Sequence, residues 1–144
     1  MKNIFKICFV VITSFSLSSL SAQAITVEVL GEKGEQLFKQ NIGLMLPSNV
    51  GETTIAIFDQ HSVPHKGTDS GIVEIYNLKQ EIKVVSDTEM KAYGWCFSIN
   101  GIVVETMPDE TNVITADSII QWFYAYAHYK DGQWIGQCVK ADKL

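Results

Sequence analysis

The fold of this chain is decided by the stretch Tyr93-Gly94-Trp95-Cys96-Phe97-Ser98-Ile99-Asn100-Gly101, in which an Asn-Gly pair ends an apolar run. A second apolar run starts at Ile102. A two-residue type I′ turn needs positive φ at both central positions, and Asn and Gly adopt that conformation at the least cost. The sequence therefore predicts two paired antiparallel strands, at residues 94–99 and 102–105.

A strongly aromatic segment at residues 121–129 is the second organising feature. Its alternate positions form two sets, Trp122, Tyr124, Tyr126 and His128 against Phe123, Ala125, Ala127 and Tyr129. Because both sets are apolar or aromatic, we expect a central strand rather than an edge strand. One set faces the core, so the other must be covered by a helix, the C-terminal hairpin, a partner or a ligand.

The rest of the chain predicts a single β-rich α+β domain with a mixed or antiparallel sheet. One short helix is expected at about 53–61 within the segment 52–61, with Thr53 as its cap and Pro64 as its stop. Apolar periodicity predicts further strands at 25–29, 37–46, 72–76, 81–85 and 133–140, the last of which forms an extra C-terminal hairpin. Loops are expected at 63–70, 87–91 and 107–112.

The first 24 residues have the pattern of a signal peptide. Lys2 and Lys6 precede an apolar run of about 13 residues, which is shorter than the roughly 20 that a permanent membrane helix needs. Ser21-Ala22-Gln23-Ala24 supplies a signal-peptidase site. We therefore expect cleavage after Ala24, export to a periplasm or to the medium, and a mature domain at 25–144 without a membrane span.

The charge of the expected mature chain argues against polyanionic partners. The whole chain has 11 basic and 16 acidic residues, and the leader removes Lys2 and Lys6, which leaves 9 − 16 = −7. Every basic residue is Lys, whereas Arg is the usual reader of phosphate and guanine. We therefore expect no nucleic-acid partner.

Two cysteines, Cys96 and Cys138, remain after the leader. Cysteines of an exported protein meet an oxidising compartment and usually pair, so we predict a disulfide between them. The alternative is a reactive thiol at one of the two positions, and no nucleophile signature surrounds either residue.

Several of these residues together resemble the DUF4430 family, which is related to the C-terminal domain of transcobalamin and intrinsic factor. The resemblance lies in Gly94-Trp95, Asn100-Gly101 and, some twenty residues later, Asp117, Trp122 and Tyr124. It implies a β-grasp-like domain of the soluble-ligand-binding type, with a mixed sheet around one helix. In the transcobalamin relatives a separate helical barrel completes a cobalamin pocket, and this chain contains no such barrel, so a cobalamin-like ligand is implied only by analogy of fold.

Two groups of side chains are candidates for binding. Asp59, His61 and His65, with His128, have the residue types of a metal site, although Pro64 separates the two nearby histidines, and we predict neither a metal nor a cofactor. An aromatic platform beside the hairpin tip is the second candidate, and its predicted ligand-binding residues are Trp95, Asn100, Gly101, Trp122, Tyr124 and Tyr126. Aromatic residues of this kind also serve as ordinary core.

Catalytic motifs are lacking: the sequence has no Gly-x-Ser-x-Gly, no His-Glu-x-x-His, no phosphate-binding glycine loop and no dinucleotide fingerprint. The sequence therefore predicts an exported, non-catalytic domain that binds a soluble small molecule or a cell-surface component. The alternative is a structural or protein–protein interaction module without a small ligand, docking by an exposed strand edge.

Overall fold

A computed structural model describes residues 24–43, 49–113, 115 and 117–141. Within these ranges ten strands and one helix, α1 (Val50–Gln60), follow one another, with the helix between the second and third strands. The strands are β1 (Ala24–Leu30), β2 (Gln36–Gly43), β3 (His65–Thr68), β4 (Gly71–Ile75), β5 (Leu78–Lys79), β6 (Glu81–Ser86), β7 (Glu89–Ile99), β8 (Ile102–Val103), β9 (Ile119–Lys130) and β10 (Gln133–Lys140).

The strands form one large mixed sheet and one small antiparallel sheet. The large sheet has the order β2-β1-β9-β7-β6, with β10 added to β9 and β8 added to β7. β1 and β9 are parallel, and every other pair in the sheet is antiparallel. The small sheet has the order β3-β4-β5. The prediction of a β-rich single domain with a mixed sheet and one helix is confirmed.

The predicted hairpin joins β7 to β8. Asn100 and Gly101 have φ values of 51° and 81°, as a type I′ turn requires, and Ile99 pairs with Ile102. The carboxamide oxygen of Asn100 accepts a hydrogen bond of 2.8 Å from the backbone N–H of Ile119. This bond ties the turn to the start of β9, so both turn residues have a structural role.

The helix begins earlier than the sequence predicts, and the prediction of Thr53 as its cap is wrong. Asn49 is the N-cap, and its side chain accepts from the N–H of Glu52 at 2.7 Å. The N–H groups of Val50 and Gly51 donate to carbonyls of the 107–112 loop, at Thr111 and Pro108. Because that loop supplies partners for the first two amides, the helix starts three residues before the expected position.

Two predicted loops contain strand residues. β3 lies in the expected loop 63–70. Its sequence consists of Gly67 and three polar residues and shows no apolar alternation, and it forms because β4 pairs with it. The expected loop 87–91 contains the start of β7, where Glu89 and Lys91 pair with Lys130 and His128 of β9. β3 pairs with its neighbour β4 and the start of β7 pairs with the distant β9, and in both places the pairing overrides a polar local sequence.

Two predictions fall partly outside the described residues. Residues 44–46 of the predicted second strand lie there, and β2 itself ends at Gly43. Of the predicted leader only Ala24 is described, as the first residue of β1, and its carbonyl accepts from the N–H of Asp117. Cleavage after Ala24 would remove that one residue and leave the rest of β1 in place.

The core lies on one face of the large sheet, which we call the inner face. It is defined by Val27, Val29, Phe97, Ile120 and Trp122, all of them buried. The residues that cover it are likewise buried and come from α1 and from β4, at Val50, Thr54, Ile57, Phe58, Ile72 and Ile75. Hydrophobic burial on this face holds helix, small sheet and large sheet together.

The opposite, outer face is defined by Ala92, Gly94, Cys96, Ala125 and Ala127. Cys138 of β10 forms the predicted disulfide with Cys96 of β7, with a Cα–Cα distance of 5.8 Å. Because β9 lies between these two strands, the bridge passes across the outer face of the central strand. The C-terminal hairpin thus covers the apolar set that the inner layer leaves exposed.

Removal of this disulfide should destabilise the domain strongly. The bridge joins residues 42 positions apart, for which loop-closure entropy gives about 3–4 kcal/mol. We expect the double variant Cys96→Ser/Cys138→Ser to unfold at a lower urea concentration, with a steeper dependence on urea because its unfolded chain is less compact. The unreduced parent serves as the control, and equal urea midpoints for the two proteins would contradict this account of β10.

Candidate ligand site at the edge of β7

A gap in strand pairing lies along one edge of β7. On that edge β6 pairs with residues 89–93 and β8 pairs with Ser98 and Ile99. Between them, no strand of the described chain pairs with residues 94–97 on that side. The gap is centred on Trp95, a residue that the sequence already indicated for binding.

The backbone of Trp95 points into this gap. The carbonyl of Phe97 lies on the β8 side of β7, because it accepts from the N–H of Val104. Backbone groups alternate sides along an antiparallel strand, so the N–H and C=O of Trp95 share the side of Phe97. In agreement with this alternation, the N–H of Asn100, an odd number of residues away from Trp95, donates to the carbonyl of Ile119 on the β9 side. The gap therefore offers the N–H and the C=O of Trp95, to which no backbone group of the described chain bonds.

An apolar cleft of about 320 Å³ opens at the gap. Trp95 and Gln80 lie at its border, and none of its described lining residues carries a charge. Its apolar wall is formed by Ile72, Val73, Phe97, Val104, Met107 and Pro108, together with one edge of Trp122. We refer to this space as the apolar cleft.

A shallow groove of about 530 Å³ lies on the outer face beside the same gap. Its floor is flat because the sheet carries only small side chains there, at Ala92, Gly94, Ala125 and Ala127. Ile82 and the disulfide form its walls. We refer to it as the small-residue groove.

A third space, of about 640 Å³, is lined mainly by polar and charged residues. It lies next to Tyr93 and Tyr124, whose rings stack at 6.0 Å, and we call it the polar cleft. Its charged residues are Glu32, Lys79, Glu81 and Lys83. The two negative and two positive charges balance, so the polar cleft has no clear preference for an anion or a cation.

Gln80 lies where all three spaces meet. Its backbone N–H donates to the carbonyl of Val73, and its side chain packs beside Gly94, where even a Cβ would come within 3.5 Å of its Cγ. No hydrogen bond of its carboxamide to another described residue is present. The side chain can therefore offer a donor and an acceptor to a ligand.

Trp95 and Trp122, the two predicted tryptophans, have different environments. Trp95 is half-buried, and its indole N–H donates to the carbonyl of Leu78 at 3.0 Å. Trp122 is only 1% exposed, and its indole N–H donates to the hydroxyl of Thr54 at 3.0 Å. Trp122 is thus a core residue that reaches the apolar cleft with one edge, whereas Trp95 borders the gap directly.

The other four predicted residues also lie in different environments. The hydroxyl of Tyr124 donates to the carbonyl of Lys79 at 2.6 Å, and burial, followed by the nearby Glu81, raises the pKa of this phenol. Tyr126 lies 5.4 Å from Tyr93 on the inner face. Asn100 and Gly101 line none of the three spaces, and of the six predicted residues only Trp95 and Trp122 line the apolar cleft.

Sequence reasoning missed Gln80 and the apolar wall at Val73, Val104 and Met107. These residues come from three separate segments, and none belongs to a motif. The exposed apolar side chains of Val73 and Met107 are the only local signal, and such residues are common on protein surfaces.

The histidines do not converge on a metal centre. His65 contacts Asp59 at 3.8 Å through Nε2 and the carbonyl of Val63 at 2.9 Å through Nδ1. The ring of His61 packs against Phe38, and His128 lies on β9. In the parts of the chain that the structure describes, no three His, Cys, Asp or Glu side chains are placed to hold a metal ion.

His128 instead takes part in an ion-pair group at the far end of the inner face. It donates to Glu89 at 2.8 Å, and Lys130 lies 3.3 Å from the other oxygen of the same carboxylate. The hydrogen bond from His128, assisted by Lys130, holds the pKa of Glu89 below its ordinary value of 4.5 despite some opposing desolvation. This group joins β7 to β9.

The group should make stability depend on acidity. A carboxyl with a lowered folded pKa stabilises the fold above its unfolded pKa, and that stabilisation is lost as the pH falls through the folded pKa. We therefore expect the free energy of unfolding of Glu89→Gln to decrease less than that of the parent as the pH falls below 4.5. Urea unfolding at a series of pH values tests this. Glu105→Gln, at an exposed position, should keep the parental slope, and a parental slope in Glu89→Gln would contradict the assignment.

The bond between Trp122 and Thr54 gives a test of the inner face. Thr54→Val keeps the shape but leaves a buried indole N–H without its acceptor, which should cost about 1–3 kcal/mol. Thr54→Ser keeps the hydroxyl and is the matched control. Chemical unfolding monitored by tryptophan fluorescence should rank the valine variant below the serine variant, and the reverse order would show that this hydrogen bond is unimportant.

Comparison with known proteins gives little beyond this geometry. No protein-family model and no curated protein matches the chain. Among solved structures, the chain is similar to the crystal structure of a "putative metal binding protein" from Ruminococcus gnavus, with 17% identity, a TM-score of 0.45, and coverage of 72% of this chain and 99% of the other. A similarity of this size supports no argument about metal or ligand. In addition, no helix in the described ranges is long and apolar enough to cross a membrane.

Proposed function

We propose that this chain is an exported, non-catalytic domain that binds a soluble small molecule in the apolar cleft beside Trp95. The observation that supports this most is the interruption of the sheet at Trp95, where an apolar cavity meets backbone groups that have no partner among the described residues. A concave, mainly apolar site with a few convergent polar groups is the usual form of a small-molecule site.

The proposed export and family rest on separate observations. The leader pattern at residues 1–24 and the Cys96–Cys138 disulfide both suit an oxidising compartment. We assign the domain to the β-grasp type that the DUF4430 resemblance implies. This assignment is supported by an opening hairpin, a following helix, and parallel strands β1 and β9 in the order β2-β1-β9-β7.

The lining of the cleft defines the ligand's general chemistry. Because no charged side chain lines the apolar cleft among the described residues, an ion placed there would lose its hydration without compensation. The ligand should therefore be neutral where it enters the cleft. A volume of about 320 Å³ suits a compact apolar group rather than a molecule of cobalamin size.

A neutral fluorescent probe can test the site. N-phenyl-1-naphthylamine should bind the parent protein, and Val73→Arg should weaken its binding at least about tenfold, because the new side chain places a charge in the apolar wall. Val73 is 42% exposed, so the domain should tolerate the change. Ile102→Arg, at a 74% exposed position outside the cleft, is the control and should bind as the parent does.

Two results of these binding measurements would contradict a site in the apolar cleft. Failure of the parent protein to bind the probe, or equal binding by the Val73 and Ile102 variants, would count against a ligand site in the apolar cleft. Mass spectrometry of the unreduced protein from the exported fraction then identifies any small molecule that it retains.

A further inference from the structure

We propose that the ligand is a short apolar peptide, one residue of which pairs with the backbone of Trp95 as an added piece of strand. This inference rests on the proposed ligand site and specifies the class of molecule that it binds. It follows from the direction of the backbone groups, the length of the gap and the placement of the two apolar spaces.

The free backbone groups favour an amide over other neutral groups. Trp95 presents an N–H and a C=O on the same side of β7, and one residue of an antiparallel partner strand satisfies both by exchanging two hydrogen bonds. An ester or a hydrocarbon lacks the N–H donor that the carbonyl of Trp95 needs. Strand addition to an exposed sheet edge is an established way of binding extended peptides.

The length of the gap limits the pairing to about one residue. On one side, Tyr93 is already paired with Glu81 of β6. On the other side, the carbonyl of Phe97 is bonded to Val104. Trp95 is the one residue between them that has both groups directed to the edge, so a long added strand does not fit.

The two apolar spaces suit the side chains of consecutive residues. Successive side chains of an extended peptide point to opposite faces of the sheet. The apolar cleft is lined by Ile72 and Phe97 of the inner layer together with the Cys96–Cys138 bridge, and the small-residue groove is lined by Ala92 and Ala125 of the outer face. A peptide paired with Trp95 would thus place one apolar side chain in each space.

Gln80 can contact a second amide of the same peptide. It lies at the junction of both spaces, and its carboxamide offers one acceptor and two donors. We therefore assign Gln80 the role of recognising peptide polarity, whereas the apolar walls recognise side chains.

The test compares a peptide with its ester analogues in the parent protein. The competing ligand is the blocked dipeptide N-acetyl-valyl-leucine N-methylamide. In each of two analogues, the backbone N–H of either the valine or the leucine is replaced by an ester oxygen. We expect the dipeptide to displace N-phenyl-1-naphthylamine and to shift the amide resonance of Trp95. At least one ester should bind about tenfold more weakly, because a hydrogen bond is lost.

A substitution at Gln80 tests recognition of the peptide independently of the ester analogues. Gln80→Leu should weaken dipeptide binding several-fold more than it changes binding of the naphthylamine probe, because the naphthylamine has no peptide group for the carboxamide to recognise. Gln133→Leu, at an exposed position of β10, is the control and should change neither affinity.

The binding results distinguish the peptide inference from the proposed ligand site. If the probe binds but the dipeptide does not displace it, or if both esters bind as well as the dipeptide, the peptide inference is overturned and the apolar site stands. If the probe does not bind to the parent protein, the site itself is refuted, and the peptide inference falls with it.

Discussion

The structure depends on the central strand β9, which needs a hydrogen-bonded strand on both edges and a covering layer on both faces. β7 pairs with one edge over eleven residues, while β1 and β10 share the other edge in succession. On the inner face Trp122 is fixed by Thr54 of the helix, and on the outer face the disulfide passes over the strand. A central strand that is apolar on both sides needs both of these covers, so helix and C-terminal hairpin are equally necessary.

The same packing opens the gap at Trp95. The indole N–H of Trp95 and the hydroxyl of Tyr124 bond to the carbonyls of Leu78 and Lys79, which hold β5 against the inner face. The chain therefore returns to the edge of β7 only at Glu81, where β6 begins. The aromatic residues thus have two effects. They anchor the small sheet, and because they hold β5 at the inner face, no described strand pairs with residues 94–97 of β7 on the edge away from β9.

The features that were predictable from sequence depend on local chemistry. The Asn100-Gly101 turn follows from the φ values it requires, the central position of β9 from its two apolar sets, and the disulfide from the number of cysteines. The helix start was not predictable, because its first amides donate to carbonyls distant in sequence. β3 was not predictable, because its polar residues show no apolar alternation. Alternation placed Trp122, Tyr124 and Tyr126 on one face, but only the position of the helix and β5 shows which of them are core.

The candidate site is less predictable for the same reason. Trp95 was indicated by its aromatic surroundings, whereas Gln80, Val73 and Met107 come from the turn between β5 and β6, from β4 and from the 107–112 loop. A missing strand partner is a property of topology, and no residue type signals it. The site therefore becomes visible only when the pairing of every strand along β7 is known.

Amide hydrogen exchange along β7, measured by NMR on the ligand-free, disulfide-bonded protein, shows whether the edge of the strand at Trp95 is open. We expect the N–H of Trp95 to exchange rapidly and those of Gly94 and Cys96, which face β9, to be protected by the sheet. Protection of Trp95 equal to that of Gly94 and Cys96 would show that its edge of the strand is already paired, and would contradict an open site at this position.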